Sequence, residues 1–77
     1  MEDQLLHQFN YGHNDAFYIR LREYKDKRYI DFRIFFLPKG DSEMVPTKKG
    51  LMVNAEFVSE LKKGILACEK ELAEARK

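Results

Sequence analysis

The chain reads as an α+β domain in which four strands precede one C-terminal amphipathic helix, and three observations predict it. Residues 17–36, FYIRLREYKDKRYIDFRIFF, sort by parity. Phe17, Ile19 and Leu21 alternate with Tyr18, Arg20, Arg22 and Tyr24, which in a strand gives one apolar face and one lined with arginine and tyrosine. Phe57, Leu61, Ile65, Cys68 and Leu72 recur at spacings of four, four, three and four, the stripe of an amphipathic helix. Clusters of turn formers, at 10–15 and 38–42, fall between the strand-like runs.

In order, Leu5–Tyr11 forms a first strand, with Leu5, His7, Phe9 and Tyr11 on one face. Residues 16–24 and 28–36 are the strongest strands, rich in aromatic and β-branched types. Lys25-Asp26-Lys27 closes them into a hairpin, Asp26 tolerating the turn conformation. A fourth strand covers Glu43–Val53, with Pro46 confining its first half to an edge or a bulge. Asn54 then stands as a helix N-cap, with Glu56 in a first turn where the helix dipole favours an acid. The helix runs from about Ala55 to Ala75, roughly 30 Å at ~1.5 Å per residue. That is longer than a four-stranded sheet covers, so the stripe is expected to pack partly on its own sheet and partly on a second subunit. Gly64 in its middle lowers helix propensity and admits close approach of another backbone.

Seventy-seven residues make one domain, spanning 1–77, near the lower size limit of an independently stable core. With one cysteine there is no internal disulfide, so oligomerisation is the expected support. The N-terminus lacks the pattern of a signal peptide and no segment is long and apolar enough to cross a bilayer. An intracellular location without a membrane partner is expected: nucleus in a eukaryote, cytoplasm or nucleoid in a bacterium. The net charge of +1 hides a division. Residues 1–15 carry −3, residues 16–53 carry +4, and residues 54–77 are balanced. Positive charge thus gathers in the β-structure, as in a polyanion footprint.

Cations interleaved with planar aromatics suit single-stranded nucleic acid, which needs charge for phosphates and stacking for bases. The plainer reading of Arg20, Arg22 and Arg33 is a solvated sheet face with Asp31 or Glu23 as cross-strand partners. Lys48 and Lys49 would equally serve as edge-strand lysines that deter aggregation.

Tyr18-Ile-Arg-Leu-Arg-Glu-Tyr-Lys-Asp-Lys, Ile30-Asp-Phe-Arg and Pro46-Thr-Lys-Lys-Gly-Leu, followed by the amphipathic helix, resemble the single-stranded-DNA-binding domain of positive cofactor four, a transcriptional coactivator. The resemblance runs from about residue 9 to residue 66. It implies a curved, antiparallel four-stranded sheet, a helix that forms a homodimer through Phe57, Leu61, Ile65, Cys68 and Leu72, and channels that hold single-stranded or melted DNA. Carried onto matching positions, the DNA-contacting set is Arg22, Tyr24, Lys25, Lys27, Arg33, Phe36, Lys48 and Lys49, to which the parity of the strand adds Arg20. Three departures stand out. Asp26 takes the place of a glycine between two phosphate-binding lysines, and Phe36 and Phe57 replace tryptophans. The serine- and lysine-rich tail of the animal coactivators has no counterpart, so a compact bacterial or viral relative is expected at least as readily as a eukaryotic one. Regular alternation places Phe35, not Phe36, with Arg33; a bulge between Arg33 and Phe36 would bring Phe36 to the DNA side, and Phe35 is the alternative.

His7, His13 and Asp15 lack the spacing of a metal site, Cys68 on the apolar stripe reads as a packing thiol, and no phosphate-binding glycine loop is present. Neither a cofactor, a metal nor an enzymatic activity is expected. The predicted function is that of a homodimer binding single-stranded or melted DNA in transcription regulation, or in replication and repair, with the transcription machinery a candidate partner. The rival readings are a module that binds acidic protein partners and an RNA-binding protein.

Overall fold

In the computed structural model, which describes residues 3–75, four strands form one antiparallel sheet. They are β1 (Asp3–Asn10), β2 (Asp15–Tyr24), β3 (Lys27–Phe36) and β4 (Val45–Asn54), in spatial order β1-β2-β3-β4. A 3₁₀ turn over Ala55–Phe57 leads into helix α1 (Val58–Ala75). The expected architecture is present, each strand beginning or ending within a few residues of its predicted bounds.

The β2–β3 hairpin is the regular part. Its pairing runs without a shift from Asp15↔Phe36 to Tyr24↔Lys27. Lys25 and Asp26 form the two-residue loop with φ of 50° and 64°, the positive values that a hairpin turn matched to strand twist requires. The β1–β2 turn uses Gly12 and Asn14 at positive φ, and Tyr11 N–H donates to the Asp15 carbonyl at 3.0 Å. Leu37 N–H donates to the Asn14 carbonyl at 3.0 Å, tying the start of the β3–β4 loop to that turn.

Both outer strands are irregular. On β1, Leu5 pairs with Arg20 and His7 with Ile19, so Leu6 is inserted. Leu5 therefore shares the side of Arg20 rather than that of His7 and Phe9, and the single face expected for Leu5, His7, Phe9 and Tyr11 is split. On β4, Gly50 pairs with Arg33 but Pro46 pairs with Phe35. Three residues, Thr47 to Lys49, thus lie opposite Ile34 alone. The bulge near Arg33 sits on β4, not on β3. Thr47 stitches it, its hydroxyl donating to the Ile34 carbonyl at 2.7 Å and accepting from Lys49 N–H at 3.1 Å. Gly50 is required where the strand closes again: a Cβ there would overlap the Phe32 carbonyl oxygen and lie 2.8 Å from Arg33 Cα.

The helix differs from expectation in two respects. Asn54 makes no side-chain cap, and the chain enters α1 through the 3₁₀ turn. Beyond that turn α1 leaves the sheet instead of covering it; Ile65 and Leu72 are each 66% exposed. Gly64 admits no neighbour within the chain, since nothing lies within 4 Å of a Cβ placed there. The molecule measures 43 × 36 × 18 Å, a single layer. Among the described residues only Ala16, Asp31, Ile34 and Phe35 are buried.

Candidate nucleic-acid interface

The register assigns the residues of one face row by row. Arg22 lies between Asp3 and Tyr29, Arg20 between Leu5 and Asp31, Tyr18 between Gln8 and Arg33, and Ala16 between Asn10 and Phe35. Asn54, Met52, Gly50 and Pro46 continue these rows on β4. The predicted arginine- and tyrosine-lined face is therefore formed, by cross-strand neighbours from all four strands.

Its centre is an acid. Asp31 is completely buried and accepts from two arginines, Arg20 across on β2 and Arg33 two positions along β3. Arg20 donates to Oδ2 from Nη2 at 2.6 Å and from Nε at 3.2 Å. Arg33 donates to Oδ1 from Nη2 at 3.0 Å and from Nε at 3.2 Å. Burial pushes the Asp31 carboxyl up, but the hydrogen bonds and positive charges of Arg33 and Arg20 outweigh it and hold the group below its ordinary value. Arg33 also donates from Nη1 to the Thr47 carbonyl at 2.9 Å, so the same guanidinium that holds Asp31 holds the β4 bulge. Asp31 and Thr47 organise the face, and the sequence reading nominated neither. The alternation of Asp31 with Arg33 is visible in the sequence; of the plainer reading of this face, the Arg20–Asp31 pairing is present, but Asp31 is buried rather than solvated.

The nominated cations fall into two groups. Arg20, Arg22 and Arg33 are partly buried and ion-paired: Arg22 Nε donates to Asp3 at 3.1 Å, and Arg20 Nη1 lies 3.8 Å from the same carboxylate. Lys25, Lys27, Lys48 and Lys49 are exposed and, among the described residues, carry no carboxylate partner. Lys25 lies in the hairpin loop and Lys27 directly follows it. Lys48 and Lys49 stand on the bulge, whose irregularity frees consecutive residues from the strict alternation of a strand.

The aromatics separate in the same way. Phe35 belongs to this face but is buried, its ring stacked on Tyr18 at 4.2 Å and covered by the Arg20 guanidinium at 5.0 Å. With no bulge in β3, Phe36 takes the opposite parity and stands 38% exposed at the strand's end. The shift expected to bring Phe36 beside Arg33 does not occur. Tyr24 is 52% exposed, with Lys25 Nζ over one side of its ring at 5.3 Å.

Two shallow grooves cross the face and meet at Arg22. One, of about 460 Å³, is lined by Arg20, Arg22, Arg33, Pro46, Thr47 and Lys48. The other, also about 460 Å³, is lined by Arg22, Tyr24, Tyr29 and Met52. The first offers cations; the second is largely apolar. On the reverse side Phe9 stacks on Phe17 at 5.0 Å, and the stripe residues Phe57, Leu61, Ile65 and Cys68 line an apolar groove with Val53. Leu72, further along α1, stands clear of it. Among the described residues no group of three or more His, Cys, Asp or Glu side chains is disposed to hold a metal, and no helix is long and apolar enough to cross a membrane.

An open antiparallel meander with one trailing helix and a cationic, aromatic face defines a class of small DNA-binding domains. The chain belongs to the Transcriptional Coactivator p15 (PC4) family, whose sequence profile matches residues 14–64. Membership supports a DNA-binding role. The fold is similar to that of a PC4 homologue from Burkholderia pseudomallei, at 22% identity and a TM-score of 0.79, over 88% of this chain and 98% of that one in the tetragonal crystal form. It is also similar to the bacteriophage T5 homologue of the eukaryotic coactivator, a protein implicated in recombination-dependent DNA replication. That match has 24% identity and a TM-score of 0.68, over 100% of this chain and 91% of that one. Among curated protein sequences none matches the chain.

Proposed function

We propose that the chain works as a homodimer that binds single-stranded or melted DNA across the Arg22 face, in transcription regulation or in handling melted DNA during replication and repair. The observation that carries this reading is the meeting of a cationic and an aromatic groove at Arg22, in a member of this family. Lys25, Lys27, Lys48 and Lys49 capture phosphates, and Arg22 exchanges Asp3 for phosphate. Arg20 and Arg33, held by Asp31, give the face its shape and lend residual positive field. Tyr24 stacks a base on the side of its ring away from Lys25. Phe36 meets only a strand that passes over the end of the sheet. The T5 homologue's implication in DNA replication favours a place for the replication reading beside the transcriptional one. The second protomer covers the apolar stripe of Phe57, Leu61, Ile65, Cys68 and Leu72.

Fluorescence anisotropy of a labelled single strand of ~20 nucleotides, at two salt concentrations and with duplex and RNA competitors, tests the reading. Binding should favour the single strand and weaken with salt, with a logarithmic slope of about −0.7 for each phosphate neutralised. Tyr24→Ala should cost ~1–3 kcal/mol and Phe36→Ala less. No binding at low salt would leave the face to an acidic protein partner.

A further inference from the structure

Met52 and Tyr29 are explained neither by phosphate capture nor by packing. Met52 follows the β4 bulge, opposite Asp31, and is 42% exposed, an apolar side chain standing next to the Arg20–Asp31–Arg33 cluster. Tyr29 lies between Arg22 and Asn54 in the register. With Tyr24 and Arg22 they line the apolar groove of about 460 Å³, within the ~300–1,000 Å³ range of small-ligand sites. Its lining is two aromatic rings, a polarisable thioether and one guanidinium at the edge.

We propose that this recess is a base pocket: it receives one unstacked nucleobase of the bound strand, between Tyr24 on one side and Met52 and Tyr29 on the other. The proposal rests on the nucleic-acid reading of the face and adds to it a specific seat. A nucleobase presents flat apolar faces and a polar edge next to an anionic backbone, and the recess offers apolar walls with Arg22 at its rim. Lys25 covers one side of the Tyr24 ring, leaving the other for the base. Sulfur–aromatic contact suits Met52 to a flat π-system. The pocket is continuous with the cationic groove through Arg22, so a strand whose phosphates follow Lys48 and Arg22 passes over it. A paired, stacked base cannot enter without being extruded from its duplex. The pocket therefore makes the face prefer single strands over duplex, a preference that the lysines cannot supply because both forms carry phosphate.

The experiment measures binding of a single strand and of a duplex of the same length to the wild-type chain, to Met52→Ser and to Tyr29→Leu, each across a salt series. Both variants should weaken single-strand binding about tenfold, leave duplex binding within about twofold, and leave the salt slope unchanged, since stacking releases no counterions. Met52 is exposed, so Met52→Ser is the variant least exposed to a folding defect, and thermal melting checks both. An oligonucleotide with every base removed should bind the wild-type chain and Met52→Ser alike. Unchanged single-strand affinity in Met52→Ser, or a loss accompanied by a changed salt slope, overturns the pocket while the binding reading stands. A wild-type chain that binds neither form overturns the reading beneath it, and the pocket with it.

Discussion

On one face of the sheet, Arg20 and Arg33 close around Asp31, and among the described residues no buried side-chain polar atom lacks a partner. On the other face and along the helix, Phe9, Leu51, Ile65 and Leu72 remain between 45% and 66% exposed. The polar cluster is satisfied within one chain, whereas the apolar face stays largely uncovered in it. Hydrophobic burial, the main favourable term in folding, is unfinished in the isolated chain. The rigid feature inside the chain is electrostatic.

The sharpest way to break this comparison is at the helix. Ile65→Glu combined with Leu72→Glu should abolish self-association, each side chain forfeiting ~1.5–3 kcal/mol of burial per protomer. Sedimentation velocity should then show a monomer at concentrations where the unsubstituted chain is a dimer, and the melting temperature should lose its concentration dependence. An unsubstituted chain that stays monomeric would mean the exposed face is tolerated as it stands.

Next in size is Asp31→Ala, which leaves two partly buried guanidinium groups without their acceptor and should cost about 3 kcal/mol in urea unfolding at fixed protein concentration. Because the Asp31 carboxyl is held below its ordinary value, its contribution is fully present above the unfolded carboxylate range, about pH 4. The contribution is lost as pH falls through the lower folded-state value. The stability difference between Asp31→Ala and the unsubstituted chain should therefore shrink on acidification and stay constant from pH 5 to neutrality. A gap that persists in acid would assign the loss to packing.

Gly50→Ala comes third. The added methyl meets backbone of β3 rather than a movable side chain, so relief requires a shift of β4, at roughly 1–3 kcal/mol. Amide exchange should accelerate in β3 and β4 and leave the β1–β2 pairing protected. Uniform acceleration would show that the sheet opens as one unit.

Asp3→Asn should have the smallest effect and the opposite sign. Freed of its carboxylate partner, Arg22 becomes available to a phosphate. Single-strand affinity should rise a few-fold at low salt, with a slope steeper by about 0.7. An unchanged slope would show that Asp3 does not compete for Arg22.

Much of this was legible in the residues because strand parity and helical spacing are local. The β2–β3 hairpin was predicted at 16–24 and 28–36 and runs over Asp15–Tyr24 and Lys27–Phe36. What escaped depends on how neighbouring strands align. The insertion of Leu6 moves Leu5 to the other side, and the placement of the second bulge on β4 decides which of Phe35 and Phe36 joins Arg33. Neither leaves a periodic mark on its own strand. Asp31 looked like one polar residue among several; its burial arises because arginines two positions away and one strand away converge on it. The helix stripe was plain, but its spacing is the same whether the cover is its own sheet or another chain.

The molecule is 18 Å across its thinnest dimension. In a thicker protein, a substitution at a binding surface presses on a core shared with everything else. Here the residues beyond the Asp31 cluster on the Arg22 face have only solvent outside them and one sheet of backbone beneath. Exchanging Met52, Tyr24 or the four lysines disturbs no second layer. Residues of this face can therefore change at little cost to the fold, whereas the Asp31 cluster and Gly50 bear on it directly.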